Sequence, residues 1–80
     1  MAVLRLFASA REAAGTARAD LPGATVDEVL ALARERFGEP FVQVLAGARV
    51  WRNGEPASGS EPVGDGDEVA VLPPVSGGAV

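Results

Sequence analysis

The sequence predicts an α+β fold, a small sheet with one main helix packed across it, and three features carry that reading. Residues 2–8 alternate with the period of two that a half-buried strand requires. A capped, amphipathic helix is written between Thr25 and Gly38. An Asn53-Gly54 pair and a strand-like run at 68–72 supply the remaining sheet, and the order strand, strand, helix, hairpin, strand suits this class.

The first strand, "AVLRLFA", places Ala2, Leu4 and Leu6 on one side and Val3, Arg5 and Phe7 on the other. Arg5 marks the outer face, so Phe7 is a large aromatic on a charged side: a contact position, or one that another element covers. "SAREAAGT" then turns the chain, with Gly15 as the stop, and a short strand follows at about 16–21 until Pro22 and Gly23 end it. Thr25 with Glu28 forms a capping box, Asp27 and Glu28 suit the positive first turn, and Gly38 closes the helix. Its stripe of Val26, Val29, Leu30, Ala33 and Phe37 reads as core.

"EPFVQVLAG" is apolar but poorly patterned and reads as one further helical turn. Beyond it, Asn53-Gly54 provides the two positive φ angles of a type I′ turn. The face taken by Trp51 is open at this point, since Val50 argues for one register and Trp51 for the other. In the strand at 68–72, Val69 and Val71 share one side, and Glu68, Ala70 and Leu72 the other. Leu72 therefore lies on a charged side, as Phe7 does.

The 80 residues allow one domain, and 48% hydrophobic content is enough for a core built of small side chains and Leu. The chain contains no Cys, His, Lys or Tyr. The usual nucleophiles and general bases are therefore missing, and so are the commonest zinc and transition-metal ligands, so no metal site and no bound cofactor are expected. A formal charge of −4 without a basic run argues against nucleic acid and against an anionic membrane surface. With no secretory segment and no long apolar run visible, the chain reads as cytoplasmic.

The last eight residues, "PPVSGGAV", suit neither helix nor strand, which divides the chain into a folded domain at 1–72 and an extended tail at 73–80. Such an end is either a plain fray or a substrate. An enzyme that activates a C-terminal carboxylate must thread the chain to a buried phosphate site, and Gly-Gly has no side chain to obstruct a narrow channel.

Three stretches stand out together: "LFASAREAAGT" at 6–16, Asn53-Gly54, and above all "DGDEVAVLPPVSGG" at 65–78. On these motifs the chain resembles, over residues 2–78, the MoaD/ThiS group of ubiquitin-like sulfur carriers, and within it the small subunit of molybdopterin synthase. The resemblance implies the ubiquitin-like β-grasp fold: a mixed sheet, one main helix packed across it, and a flexible C-terminal Gly-Gly tail. It further implies that Gly78 is adenylated and converted to a thiocarboxylate, with Gly77 as its narrow neighbour. Pro73, Pro74, Val75 and Ser76 would then insert into the large synthase subunit, which Phe7 and Leu72 would pack against, and the sulfur would pass to a pterin precursor. ATP would be used by a separate adenylating enzyme. Such a chain needs no catalytic residue of its own; it is the carrier subunit of a sulfurtransferase complex.

Four departures and ambiguities accompany the resemblance. Asp65, Asp67 and Glu68 lie where complementary charge steers docking in the family, yet Asp residues in such a turn also bond backbone amides. Arg11 and Glu12 fit the motif and also fit a simple cap on the segment after the first strand. Arg52 stands where the family often has an aliphatic residue. The family ends at the second glycine, whereas Ala79 and Val80 follow here. A processing protease would remove them; alternatively they are tolerated, mark a carrier without sulfur transfer, or are foreign to the natural chain. Carriers for cysteine, thiamine or thio-natural-product routes use the same chemistry, and a ubiquitin-like interaction module with an idle tail is the reading of a different class. Without Lys, the chain cannot receive its own C-terminus on a side chain.

Overall fold

A computed structural model describes residues 1–74. Its elements are β1 (Ala2–Leu6), α1 (Ala8–Ala14), β2 (Arg18–Leu21), α2 (Val26–Phe37), α3 (Glu39–Ala46), β3 (Arg49–Arg52), β4 (Glu55–Pro56) and β5 (Glu68–Leu72). The sheet order is β2-β1-β5-β3-β4, with β1 and β5 parallel at its centre and the other pairs antiparallel. This mixed sheet under a crossing helix is the β-grasp arrangement that the resemblance implies.

Alternation decides what each strand buries. Ala2, Leu4 and Leu6 on β1 and Val69 and Val71 on β5 are all closed to solvent, and they meet Val26, Val29, Leu30 and Ala33 from α2. The Thr25 hydroxyl accepts the Glu28 N–H at 3.2 Å, and the Glu28 carboxylate accepts the Ala24 N–H at 2.9 Å. The capping box therefore forms, with its return bond one residue earlier than the usual pattern. Two further first-turn amides, Val26 and Asp27, donate to the carbonyls of Glu61 and Gly59 at 3.0 and 2.9 Å. The loop after β4 thus supplies acceptors that the helix itself lacks.

The segment read as one helical turn is an eight-residue helix, α3. Pro40 sits at its start, where a missing N–H costs nothing, and Gly38 at φ 84° makes the sharp joint with α2. Phe41 and Leu45, four residues apart, are its buried contacts, and Phe41 is the largest closed side chain in the core. Across the joint, Phe37 and Phe41 meet edge to face at 5.3 Å. Gly15, at φ 78°, ends α1 and donates to the Arg11 carbonyl.

Candidate partner face and tail root

The strand registers assemble the side of the sheet that no helix covers. Val3 stands beside Glu68, Arg5 beside Ala70, and Leu6 beside Val71, so Phe7 and Leu72 end neighbouring strands at one level. Opposite β5, Arg49 faces Leu72 and Trp51 faces Ala70. This settles the face of Trp51: it is outer, because Val50 pairs with Val71 on the core side. Arg52, also inward, does not disturb the hairpin; its Nε donates to the Pro62 carbonyl at 2.9 Å. Asn53 and Gly54 take φ values of 51° and 86°, as a type I′ turn requires.

Phe7 is 40% exposed, and the Arg5 guanidinium lies 5.8 Å from its ring centroid. Arg5 also donates to the Glu68 carboxylate at 3.1 Å, so one cation is shared between an acid and the aromatic face. Immediately after Phe7, Ala8 adopts φ 50°, a left-handed conformation that costs a non-glycine residue about 1–2 kcal/mol. Leu72 and Pro73 are half-buried and Pro74 is exposed, so the chain leaves β5 beside Phe7. Phe7, Leu72, Pro73 and Pro74 thus gather at one end of the sheet. Val75, Ser76, Gly77 and Gly78 lie outside the described residues, as does any junction with Ala79 and Val80.

The opposite end is held by polar contacts. Asn53 donates its side-chain amide to Asp67 at 3.1 Å and accepts the Glu68 N–H at 2.8 Å, while its own N–H donates to the Glu68 carbonyl at 2.9 Å. Asp67 also accepts the Gly64 N–H at 2.8 Å. The Asn53 amide first, and then the Gly64 N–H, hold the Asp67 carboxyl below its ordinary value. Asp65 is lowered by its hydrogen bond and charge attraction to the Met1 ammonium group. Asp67 therefore bonds a backbone amide within the turn, as the amide-bonding reading has it, whereas Asp65 bonds the Met1 ammonium group and Glu68 bonds Arg5. Sequence reasoning saw Asn53 only as a turn former; nothing in the pattern marks its side chain as the clasp between hairpin and turn. Arg11 and Glu12 are exposed on α1, and the helix start has no side-chain cap.

Among the described residues no three acidic side chains cluster to hold a metal, and no helix is long and apolar enough to cross a membrane. What the arrangement offers is an apolar rim where the chain leaves the sheet, on a body with little else to react.

The same body plan, with related sequence, recurs in known proteins. The ThiS family model matches residues 4–78. Small archaeal modifier protein 1 of Haloferax volcanii is 41% identical over 85 aligned positions, covering 92% of this chain and 97% of its own. Its crystal structure superposes with a TM-score of 0.77 over 94% of this chain and 96% of that one, at 34% identity. A Pyrococcus furiosus protein provisionally assigned as molybdopterin converting factor subunit 1 gives a TM-score of 0.77 at 30% identity, over 92% of this chain and 97% of its own.

Proposed function

This chain belongs to the ThiS family and is a ubiquitin-like sulfur carrier; on that premise we propose that it serves as the small subunit of a molybdopterin synthase. The observation that carries the proposal is the grouping of Phe7, Leu72, Pro73 and Pro74 where the chain leaves β5 toward its double glycine. A large subunit covering that rim receives the tail directly. The 30% identity to a protein provisionally assigned as a molybdopterin converting factor subunit supports this branch.

In the proposed cycle a protease first removes Ala79 and Val80, and the Gly78 carboxylate becomes terminal. That carboxylate attacks the α-phosphorus of ATP in a separate adenylating enzyme, and pyrophosphate leaves. Hydrosulfide then attacks the carbonyl carbon, AMP departs with the bonding pair, and the thioacid, on losing its proton, is the thiocarboxylate that carries sulfur to the pterin precursor in the large subunit. The carrier's own residues bind and position; they move no proton. Gly77 and Gly78 present no side chain to either partner's channel.

Intact mass of the protein from its native cells tests the cycle. Loss of Ala79-Val80 followed by the gain for one oxygen replaced by sulfur is expected. An unchanged full-length mass in cells making molybdenum cofactor overturns it. A second reading is favoured by the identity to a protein named as a modifier: the activated Gly78 joined to an amine of another protein. Its signature in the same experiment is a covalent adduct of larger mass, removed in the Gly78→Ala variant. Growth-linked loss of cysteine or thiamine synthesis on deletion, with cofactor synthesis intact, instead assigns the carrier to another sulfur route.

A further inference from the structure

We infer that Trp51 is a second anchor of the partner face, and that the large synthase subunit meets it with an apolar side chain flanked by a carboxylate. This deepens the carrier reading above and rests on it. The register sets five residues in one row across the outer face: Arg18, Arg5, Ala70, Trp51 and Pro56. The row has its smallest side chain, Ala70, at its centre. Arg5 and Trp51 flank Ala70 across the strands, and Glu68 and Leu72 flank it along β5, so the ion pair of Arg5 and Glu68 stands on one side of this small residue and the apolar pair of Trp51 and Leu72 on the other. An apolar side chain of the partner packs against the Trp51 and Leu72 side.

Trp51 has no architectural task that explains its size. The inward position on β3 belongs to Val50, and Trp51 itself is half-buried on the open side. Among the described residues no acceptor takes its indole N–H, whereas Trp with one polar end and a flat apolar body is the residue type most enriched among interface anchors. Its row lies one step, two residues along β5, from the row of Phe7, Leu72 and Arg49, or about 7 Å at strand rise. A partner that receives the tail at Leu72 needs to extend only that far to cover it.

Charge chooses the partner's rim. The outer face carries Arg5, Arg18 and Arg49 against Asp20 and Glu68, a balance of +1 on a chain whose total is −4. Arg5 pairs with Glu68 and Arg18 with Asp20, but Arg49, opposite Leu72, has no acidic partner among the described residues. A carboxylate beside the partner's apolar side chain finds Arg49 at the root of the tail.

The chain's single Trp makes the test direct. The carrier is labelled with 5-fluorotryptophan, giving one fluorine resonance, and titrated with the purified molybdopterin synthase large subunit of the same organism. The resonance is expected to shift or broaden on binding. Trp51→Ala is expected to weaken binding about tenfold or more, as truncation of a buried aromatic anchor does. Arg49→Glu is expected to weaken it about fivefold, with a larger loss at low salt than at high salt. If the unsubstituted carrier binds and Phe7→Ala weakens it, while the resonance stays put and both variants remain within twofold, Trp51 is not an anchor and the carrier reading stands. If Phe7→Ala is also without effect, or the large subunit does not bind at all, the docking reading itself fails. The labelled carrier needs no substitution, so a poorly folded Trp51→Ala leaves the resonance as the deciding measurement.

Discussion

The two faces of the sheet are made by the same strands and obey opposite rules. On the inner face Ala2, Leu4, Leu6, Val69 and Val71 are closed by α2 and α3, and each is small or aliphatic so that it fits. On the outer face Val3, Arg5, Phe7, Ala70, Leu72 and Trp51 mix charge with bulk, and none of them is fully buried. A face that only needed solubility has no use for Phe7 and Trp51. Stability lives on one side of a single β-layer, and the proposed recognition on the other.

The sharpest way to break this division is to substitute one residue from each class. Phe41→Ala removes the largest closed side chain and is expected to lower stability by about 3–5 kcal/mol in urea unfolding. Partner affinity measured on the fraction still folded should hardly change. Phe7→Ala is expected to do the reverse, weakening large-subunit binding by about 1–3 kcal/mol by calorimetric titration. Its unfolding midpoint should move little, because the ring is already 40% exposed. A large loss of stability in Phe7→Ala with binding intact would erase the distinction between the faces.

Thr25→Ala sharpens the stability side alone. The hydroxyl satisfies one first-turn amide of α2, and its removal is expected to cost about 1 kcal/mol, read as a lower urea midpoint at unchanged slope. Because α2 lies entirely beneath the inner face, partner binding should be unaltered.

How much of this was legible in the sequence follows from the range of the interaction that decides each feature. The sides of β1 and β5 could be read because alternation is local: Arg5 and Glu68 announce the outer side within their own strands. The cap of α2 was equally local. The side of Trp51 was not, because Arg49 and Arg52 bracket two apolar neighbours and give either phase the same score. Only pairing with β5, nearly twenty residues later, separates Val50 from Trp51. The length of α3 was hidden for a related reason. A short helix that touches the core through Phe41 and Leu45 shows too few periods to register, and its opening Pro40 looks like a breaker. Of the candidate site, Phe7 and Leu72 were readable as misplaced apolar residues, and the neighbourhood that joins them required the parallel β1–β5 register. The role proposed for Gly77 and Gly78 comes from resemblance to a family, which the strand arithmetic could not have supplied.

The smallest expected effect concerns the end of the sheet away from the tail. Asp67 is half-buried, and the Asn53 amide and the Gly64 N–H hold its carboxyl below the ordinary value in the folded chain. A group whose folded pKa is depressed contributes stability that is present above the unfolded value, near 4, and lost as pH falls through the folded one. As pH falls below about 4 the wild-type chain should therefore lose a small increment of stability that Asp67→Asn does not lose, since the amide has no proton to gain. Urea unfolding across that window checks it, with partner affinity at neutral pH as the companion measurement. Equal slopes would show that the clasp between hairpin and turn depends on shape rather than charge. A drop in affinity for Asp67→Asn would carry more weight, because it would bring the acidic turn back as a docking element and extend recognition beyond the open face.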